Sequence, residues 1–456
     1  ATGSKRLFGT DGVRGRAGEG WLSAERVSAL GRAVGRVLIG ANPSADSPRS
    51  SKPRALLGHD GRRSGPTLEA ALARGLAAAG ITPVSAGLTT TPGLAHLTRA
   101  GDFAVGVMVS ASHNPADDNG IKIFGSSGEK LDDGIEDAIE AAWRAAPDAV
   151  HGATPLQHDA SLEALYVQHL VAAAGGLSLR GVELGLDAAN GGASRVGPAV
   201  LEALGARVHT LGCAPDGDNI NSGCGSTHPE ALAELVRARG LMLGVALDGD
   251  GDRCVLVDEH GAVVDGDALL TLLAAWRVAN GGLPGGRIVA TVMSNRGLHR
   301  ALADLGLSVV TVDVGDRRVV EGLRREALVL GGEQSGHIVF GPDNHFIGDG
   351  VLTALRVIEA LIGTGRPLSE LAARFCAFPQ VLVNVPVRVK PPWSELPAVL
   401  AMVAEVEREL GLDGRVLLRY SGTESLARVM VEGPHSGAIE AHARRIADGI
   451  QIAIGA

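Results

Sequence analysis

Apolar runs that stop at an Asp or a Gly recur along this chain, each set between Ala/Leu-rich segments of helical period, and that rhythm confines it to an α/β architecture. Residues 54–58 stop at His59-Asp60-Gly61, 182–186 at Asp187, 242–247 at Asp248-Gly249-Asp250, and 327–330 at Gly331-Gly332-Glu333. The recurrence points to repeated α/β units. In open α/β sheets ligands gather beyond the carboxyl ends of strands, so these polar groups fall where a site belongs. The spacing predicts helices over 23–39, 67–79, 162–174, 229–239, 267–279 and 352–362. A Ser/Pro/Asn-rich loop over 41–53 carries no evident chemistry. Beyond a boundary within 363–379 the rhythm changes to strand 381–389, helix 395–410, strands 415–419 and 426–432, and helix 437–452, a small α+β domain.

At 456 residues the chain exceeds the roughly 250–300 at which a single core stops growing, so several domains are required. A hydrophobic share of 45% excludes disorder, and a net charge of -9 argues against nucleic acid or an anionic membrane surface as the main partner. Small molecules fit better. Cys213, Cys224, Cys254 and Cys376 are irregularly spaced, with neither a CxxC pair nor a zinc-finger pattern, and read as reduced thiols. No apolar leader precedes the first Gly-rich turn, and the strongest apolar stretch, 268–276, is too short to cross a bilayer. A cytoplasmic protein with no membrane partner is expected.

Four segments carry chemistry. Val109-Ser110-Ala111-Ser112-His113-Asn114-Pro115 follows an apolar run and places hydroxyls, an imidazole and an amide at a strand end. Standing alone, the plainer reading would prevail, an Asn-Pro turn with Ser hydroxyls satisfying loose backbone groups. Asp248-Gly249-Asp250-Gly251-Asp252-Arg253 sets acids at alternate positions, turning carboxylates to one side of an extended loop while the glycines let the backbone curl. Such hard oxygen ligands call for magnesium or calcium. Read as an EF-hand loop, Asp248, Asp250, Asp252 and Glu259 take ligand positions, but Arg253 stands where the tight turn needs glycine. A catalytic magnesium, keeping open positions for phosphate oxygens, is the better account. Gly332-Glu333-Gln334-Ser335-Gly336-His337 has a spacing suited to gripping adjacent sugar hydroxyls, although Glu and Ser at a strand end are also common capping groups. Arg419-Tyr420-Ser421-Gly422-Thr423-Glu424 surrounds an interstrand loop with a cation, hydroxyls and flexible backbone, which suits phosphate; by itself it reads equally well as a hairpin turn with a surface arginine.

In this order, the four segments resemble those of the α-D-phosphohexomutase family over nearly the whole chain, from Phe8-Gly9-Thr10-Asp11-Gly12-Val13-Arg14-Gly15 to Arg428-Val429-Met430-Val431-Glu432-Gly433. Gly223-Cys224-Gly225-Ser226-Thr227-His228-Pro229, the Glu-Gln-Ser-Gly-His loop and the Arg-Val-Met-Val-Glu-Gly ending are similar to the amino-sugar branch of that family. The resemblance implies three related α/β domains, 1–160, 161–264 and 265–375, and a smaller C-terminal α+β domain, 376–456, around a central cleft. Each domain supplies one of the four segments. It also implies interconversion of glucosamine 6-phosphate and glucosamine 1-phosphate for cell-wall precursors, one magnesium ion per subunit, priming by a hexosamine or hexose 1,6-bisphosphate, and a homodimer.

Matched to the family's motifs, Ser112 corresponds to the phosphorylated serine, with Ser110 the competitor, and magnesium is expected on Asp248, Asp250, Asp252 and a phosphoserine oxygen. Three carboxylates and a phosphoserine total about -5, which demands cations; Lys122 and Arg253 join magnesium in offsetting it. Lys122 and His337 resemble the general acid/base groups, and Arg14 and His113 organise the transferring phosphoryl group. Glu333 and Ser335 would grip sugar hydroxyls, with Asp316 and Arg317 as further specificity residues. Arg419, Ser421, Gly422, Thr423 and Arg428 would hold the phosphate that is not reacting. Phosphoserine donates to the monophosphate, the bisphosphate turns around, and closure by the C-terminal part retains it. Two departures from the family pattern stand out: His59-Asp60-Gly61-Arg62 replaces Arg-Asp-Thr-Arg, and Ser425 stands where Pro is common. A phosphomannomutase or phosphoglucomutase would share the catalytic groups. A non-enzymatic phosphosugar-binding protein would be expected to have lost Ser112 or one of the aspartates.

Overall fold

A computed structural model describes residues 7–9, 12–40, 52–146, 148–152, 154–421 and 425–456. Gly422 and Thr423 of the phosphate segment, Thr10 and Asp11 of the first motif, and most of the loop over 41–53 lie outside them.

Three sheets follow one plan. In the first, strands Val13–Arg16 (β1), Arg54–His59 (β2), Thr82–Leu88 (β3), Val105–Val109 (β4), Asp118–Gly125 (β5) and Gln157–His158 (β6) take the order β1-β5-β4-β2-β3-β6. Four of them run parallel, and β5 and β1 extend the sheet antiparallel at one edge. The second comprises Glu183–Asp187 (β7), Arg207–Leu211 (β8), Gly244–Leu247 (β9), Cys254–Val257 (β10) and Val263–Val264 (β11), ordered β11-β10-β9-β7-β8. It has three parallel strands and again an antiparallel edge. The third is shorter, with Arg287–Thr291 (β12), Ser308–Val312 (β13), Gly331–Gly332 (β14) and Ile338–Val339 (β15) in the order β13-β12-β14-β15.

Parallel strands are buried on both faces and so read as continuous apolar runs, which is why β2, β4, β7 and β9 were legible. The run over 327–330 differs: it is not itself a strand but leads into β14. Ala327, which follows helix Asp316–Arg325, holds a left-handed φ of 53° that interrupts any extension.

Helices predicted from periodicity lie at Ala24–Gly40, Gly65–Ala78, Ser161–Ala173, Glu230–Arg239, Gly266–Ala279 and Gly350–Thr364. Side-chain caps fix several starts: Asp265 accepts Ala268 N at 3.1 Å, and Asp349 accepts Leu352 N at 3.0 Å. The first two helices cross closely because Gly75 lies against the backbone of its neighbour; a Cβ there would sit 2.1 Å from Ser28 O. Val27, Leu30 and Val34 of one helix and Leu68, Leu72 and Leu76 of the other enter the first core.

By compactness the chain forms two bodies, one of residues 1–292 and 310–372, the other of 293–309 and 373–456. The second carries an antiparallel sheet of Gln380–Pro386 (β16), Arg415–Tyr420 (β17) and Leu426–Glu432 (β18), ordered β16-β18-β17. Helices Pro397–Leu410 and Ser436–Ile454 accompany it, and Val385, Val429, Val431, Ile446 and Ile450 are among its core residues. This is the α+β unit that the sequence rhythm predicts.

Candidate active site

The serine segment rests on two neighbouring parallel strands. β2 and β4 pair with His59 beside Val109, so the turn after His59 and the segment 110–115 leave the sheet side by side. Ser110 Oγ donates to Asp60 Oδ2 at 2.6 Å and accepts Ser112 N at 2.9 Å. Arg62, fully buried, donates from Nε to Asp60 Oδ2 at 2.9 Å. Its Nη atoms reach the carbonyls of Ser112 (2.9 Å), Asn114 (2.8 Å), Asp118 (2.9 Å) and Pro115. Ser112 is 1% exposed and holds a φ of 54°, a left-handed conformation uncommon outside glycine.

β9 delivers the acidic segment to the same place. Ser112 Oγ donates to Asp248 Oδ2 at 2.6 Å, and His113 Nδ1 lies 3.3 Å from Ser112 Oγ. Asp248, Asp250 and Asp252, all buried, offer carboxylate oxygens within 4.8 Å of one another. Lys122 enters from β5, 1% exposed, with Nζ 2.7 Å from Asp250 Oδ2 and 3.7 Å from Asp252 Oδ2. Thr91 Oγ1 donates to Asp250 Oδ2 at 2.5 Å, and Arg253 Nε and His337 Nδ1 stand 3.9 and 3.7 Å from Asp252 Oδ1.

Burial, reinforced by repulsion from Asp252 and Asp250, raises the Asp248 carboxyl well above its usual range. For Asp252 burial acts the same way, but Lys122 and His337 override it and hold the group well below normal. Burial opposes charge on His337 too; Asp252 wins, with Asp316 and Glu333 contributing, and lifts it to about 9. Burial drops His113 to about 4, helped by Arg253 and Arg14.

This set fits a hard divalent cation on its own chemistry. All three donors are carboxylates, and among the described residues Asp250 Oδ1 and Asp252 Oδ1 are buried without a hydrogen-bond partner.

The third segment approaches from β14 and β15. His337 is buried, Glu333 half-buried with Oε1 accepting Gly315 N at 3.1 Å, and Ser335 exposed. Asp316 pairs with Lys130 at 2.6 Å; Arg317 donates to Leu131 O at 2.7 Å and Glu136 Oε1 at 2.9 Å, and also meets Asp133. Asp252, His337, Asp316, Arg317 and Lys130 line one cavity of about 640 Å³. Arg14, half-buried on β1, lies opposite Gly120 of β5.

In the second body, Arg419 and Arg428 are paired in register across β17 and β18. Ser421 is buried, its N donating to Leu426 O at 2.9 Å and its carbonyl accepting Lys390 Nζ at 2.5 Å. Trp393 stacks on Tyr420 at 4.2 Å.

Sequence reasoning singled out Ser112, the three aspartates, Lys122 and His337, which the structure gathers. It missed the Arg62 clamp, Thr91, and Asn221, whose Nδ2 donates to Ser112 O at 2.9 Å. The available signal was position: Arg62 follows a strand end, and Asn221 precedes the Gly-Cys-Gly-Ser turn.

Comparison with known proteins agrees with this arrangement. Phosphoglucomutase/phosphomannomutase models match in sequence order: α/β/α domain I over 5–148, domain II over 164–261, domain III over 265–378 and the C-terminal domain over 382–449. A phosphoglucosamine mutase of Moorella thermoacetica is 46% identical over 453 residues, 98% of this chain and 100% of the relative. That of Rhodococcus jostii is 48% identical over 449 residues, covering 97% and 98%. Among solved structures, a phosphoglucomutase/phosphomannomutase family protein from Burkholderia thailandensis superposes with a TM-score of 0.81 at 25% identity, over 99% of this chain and 98% of that one. An Aspergillus fumigatus N-acetylphosphoglucosamine mutase, solved with GlcNAc-6P and magnesium, shares the fold at 19% identity with a TM-score of 0.62, over 99% of this chain and 96% of that one. Four family domains in order, relatives matched from end to end and the serine, acidic and sugar segments gathered in one body place the chain in the phosphoglucomutase/phosphomannomutase family of α-D-phosphohexomutases, as an isomerase.

Proposed function

We propose that the chain interconverts glucosamine 6-phosphate and glucosamine 1-phosphate through a phosphoserine at Ser112 and a bisphosphate intermediate. The observation that carries this reading is the direct hydrogen bond from the buried Ser112 hydroxyl to Asp248 of the acidic triad. The relatives named phosphoglucosamine mutase support the substrate.

Asp248, Asp250, Asp252 and a phosphoserine oxygen are the ligands for one magnesium ion, which when bound neutralises charge on the phosphoryl oxygens. In the first half-reaction the bond between phosphorus and Ser112 Oγ breaks, and one forms to the substrate's free hydroxyl oxygen. Lys122 and His337 are the acid/base pair: one gives its proton to the departing Ser112 Oγ and takes up the substrate hydroxyl's proton in its place, so the proton count balances. The bisphosphate then turns, its other phosphate returns to Ser112, and the isomer leaves with the enzyme phosphorylated as before. Arg14 and His113 orient the transferring group. Glu333 and Ser335 bind sugar hydroxyls, Asp316 and Arg317 shape specificity, and Arg253 binds substrate while offsetting the charge of the site. Arg419, Ser421, Gly422, Thr423 and Arg428 bind the phosphate that is not reacting. The domain bounds we assign are 1–160, 161–264, 265–375 and 376–456. A hexosamine or hexose 1,6-bisphosphate primes the serine.

A cytoplasmic homodimer feeding UDP-N-acetylglucosamine and cell-wall synthesis is the matching cellular role; sedimentation tests the dimer. Among the described residues no helix is long and apolar enough to cross a membrane.

The experiment is turnover with magnesium and a trace of glucose 1,6-bisphosphate, comparing glucosamine, glucose and mannose phosphates, with Ser112→Ala alongside. Preference for glucosamine phosphate, lost in the variant, is expected. Preference for glucose or mannose phosphate overturns the substrate, and turnover by Ser112→Ala overturns the carrier.

A further inference from the structure

The carbonyl of Ser112 is held from three sides, and none of the holding groups belongs to the segment that carries the serine. Arg62 Nη2 and Asn221 Nδ2 each donate to it at 2.9 Å. Asn221 Nδ2 also reaches Asn114 O at 3.1 Å. Gly249 packs so closely that a Cβ would lie 2.6 Å from Ser112 O and 2.8 Å from Asn221 Nδ2. Arg62 follows a strand of the serine's own sheet. Asn221 and Gly249 follow strands of the second sheet, as does Asp248, which accepts the serine hydroxyl. Asn221 has a left-handed φ of 57°, which asparagine tolerates, and its N donates to Ala189 O at 2.9 Å.

We propose that Asn221 is a positioning residue for phosphoryl transfer: it grips the Ser112 and Asn114 carbonyls from the domain that supplies the acidic segment, fixing the turn that aims Ser112 Oγ at Asp248. The proposal rests on Ser112 as the phosphoryl carrier. A serine at a φ of 54° keeps that conformation only where its surroundings over-determine it. Arg62 fixes the loop to the first sheet, and Asn221 ties the same carbonyl directly to the second sheet, which supplies the aspartates. An amide suits the task because it donates to two carbonyls without adding charge beside three carboxylates. Misplacing a reacting atom by about 1 Å costs about 100-fold in rate, so a loosened turn is felt in kcat.

Two variants separate positioning from folding. Asn221→Gly keeps the left-handed backbone and removes both donors; Asn221→Asp keeps the size and replaces the donor with an acceptor facing two carbonyls. With full-length protein and magnesium, steady-state kinetics on glucosamine phosphates, the rate of Ser112 phosphorylation by glucose 1,6-bisphosphate followed by intact mass, and thermal unfolding are measured together. The expected result in both variants is a kcat lower by about 10- to 100-fold, KM within about twofold, phosphorylation slowed by the same factor and little change in melting temperature. Unchanged kcat, a loss confined to KM, or a loss accounted for by unfolding at the assay temperature in both variants overturns it. Ser112→Ala, run in parallel, separates the two ideas. An active Ser112→Ala sinks the carrier assignment, whereas an inactive Ser112→Ala beside Asn221 variants of wild-type rate sinks only the positioning role.

Discussion

Lys122→Met isolates what the buried lysine does for the acidic triad before any substrate arrives. Its Nζ lies 2.7 Å from Asp250 Oδ2 with both side chains at 1% exposure or less, and 3.7 Å from Asp252 Oδ2. Methionine approximates the aliphatic stem, so packing changes little and the lost quantity is the charge. Breaking a buried ion pair from one side costs about 3–5 kcal/mol, because the remaining carboxylate is left uncompensated. If the larger body, ~350 residues, unfolds as one unit at ~2.1 cal/mol/K per residue, that lowers its melting temperature by ~4–7 °C. The expectation applies to protein in EDTA. In saturating magnesium the ion neutralises the same carboxylates, so the deficit should shrink to less than half. Differential scanning calorimetry of both proteins in both buffers reads this without reference to activity. A deficit equal in EDTA and magnesium would refute the reasoning, since no ion would then share the lysine's role in neutralising the carboxylates.

Gly75→Ala should destabilise the protein by about 1–3 kcal/mol despite alanine's better helix propensity, because the added methyl would meet backbone atoms, Ser28 O at 2.1 Å and Arg32 N at 2.5 Å, that no rotamer change can move; a melting temperature at or above wild type would contradict the close crossing. Asp349, raised to about 6 mainly by burial, holds its proton more tightly folded than unfolded, so its contribution to stability is full below about pH 4 and is lost as pH rises through about 6. Urea unfolding of wild type against Asp349→Asn should therefore show the difference moving by about 3 kcal/mol against wild type between pH 4 and 7, and a constant difference would show that the carboxyl titrates normally.

What was legible in the sequence was whatever a local pattern enforces. Buried parallel strands must be apolar throughout, so β2, β4, β7 and β9 announced themselves, and the acids at alternate positions after β9 gave the triad. Helix Asp316–Arg325 was missed because its sequence is dominated by charge: four of its ten residues are arginines, and only Val319, Gly322 and Leu323 are buried. Arg62 and Asn221 were missed for another reason. Each acts on backbone carbonyls dozens of residues away, and a carbonyl partner leaves no residue-type signature at the receiving position.

The same limit explains why the charge balance emerged only in three dimensions. From the sequence, three aspartates and a phosphoserine required magnesium, Lys122 and Arg253. The structure adds His337, held charged by Asp252 with a pKa of about 9. Lys122, Arg253 and His337 then stand as three cationic groups beside the triad, in which burial and its acidic neighbours raise the Asp248 carboxyl. On the proposed mechanism the phosphoryl group and the divalent ion carry about -2 and +2, so adding both leaves the net charge of the site unchanged. In a pocket this buried, where an uncompensated charge costs several kcal/mol, that equality would offset the dianion that a phosphorylated Ser112 adds.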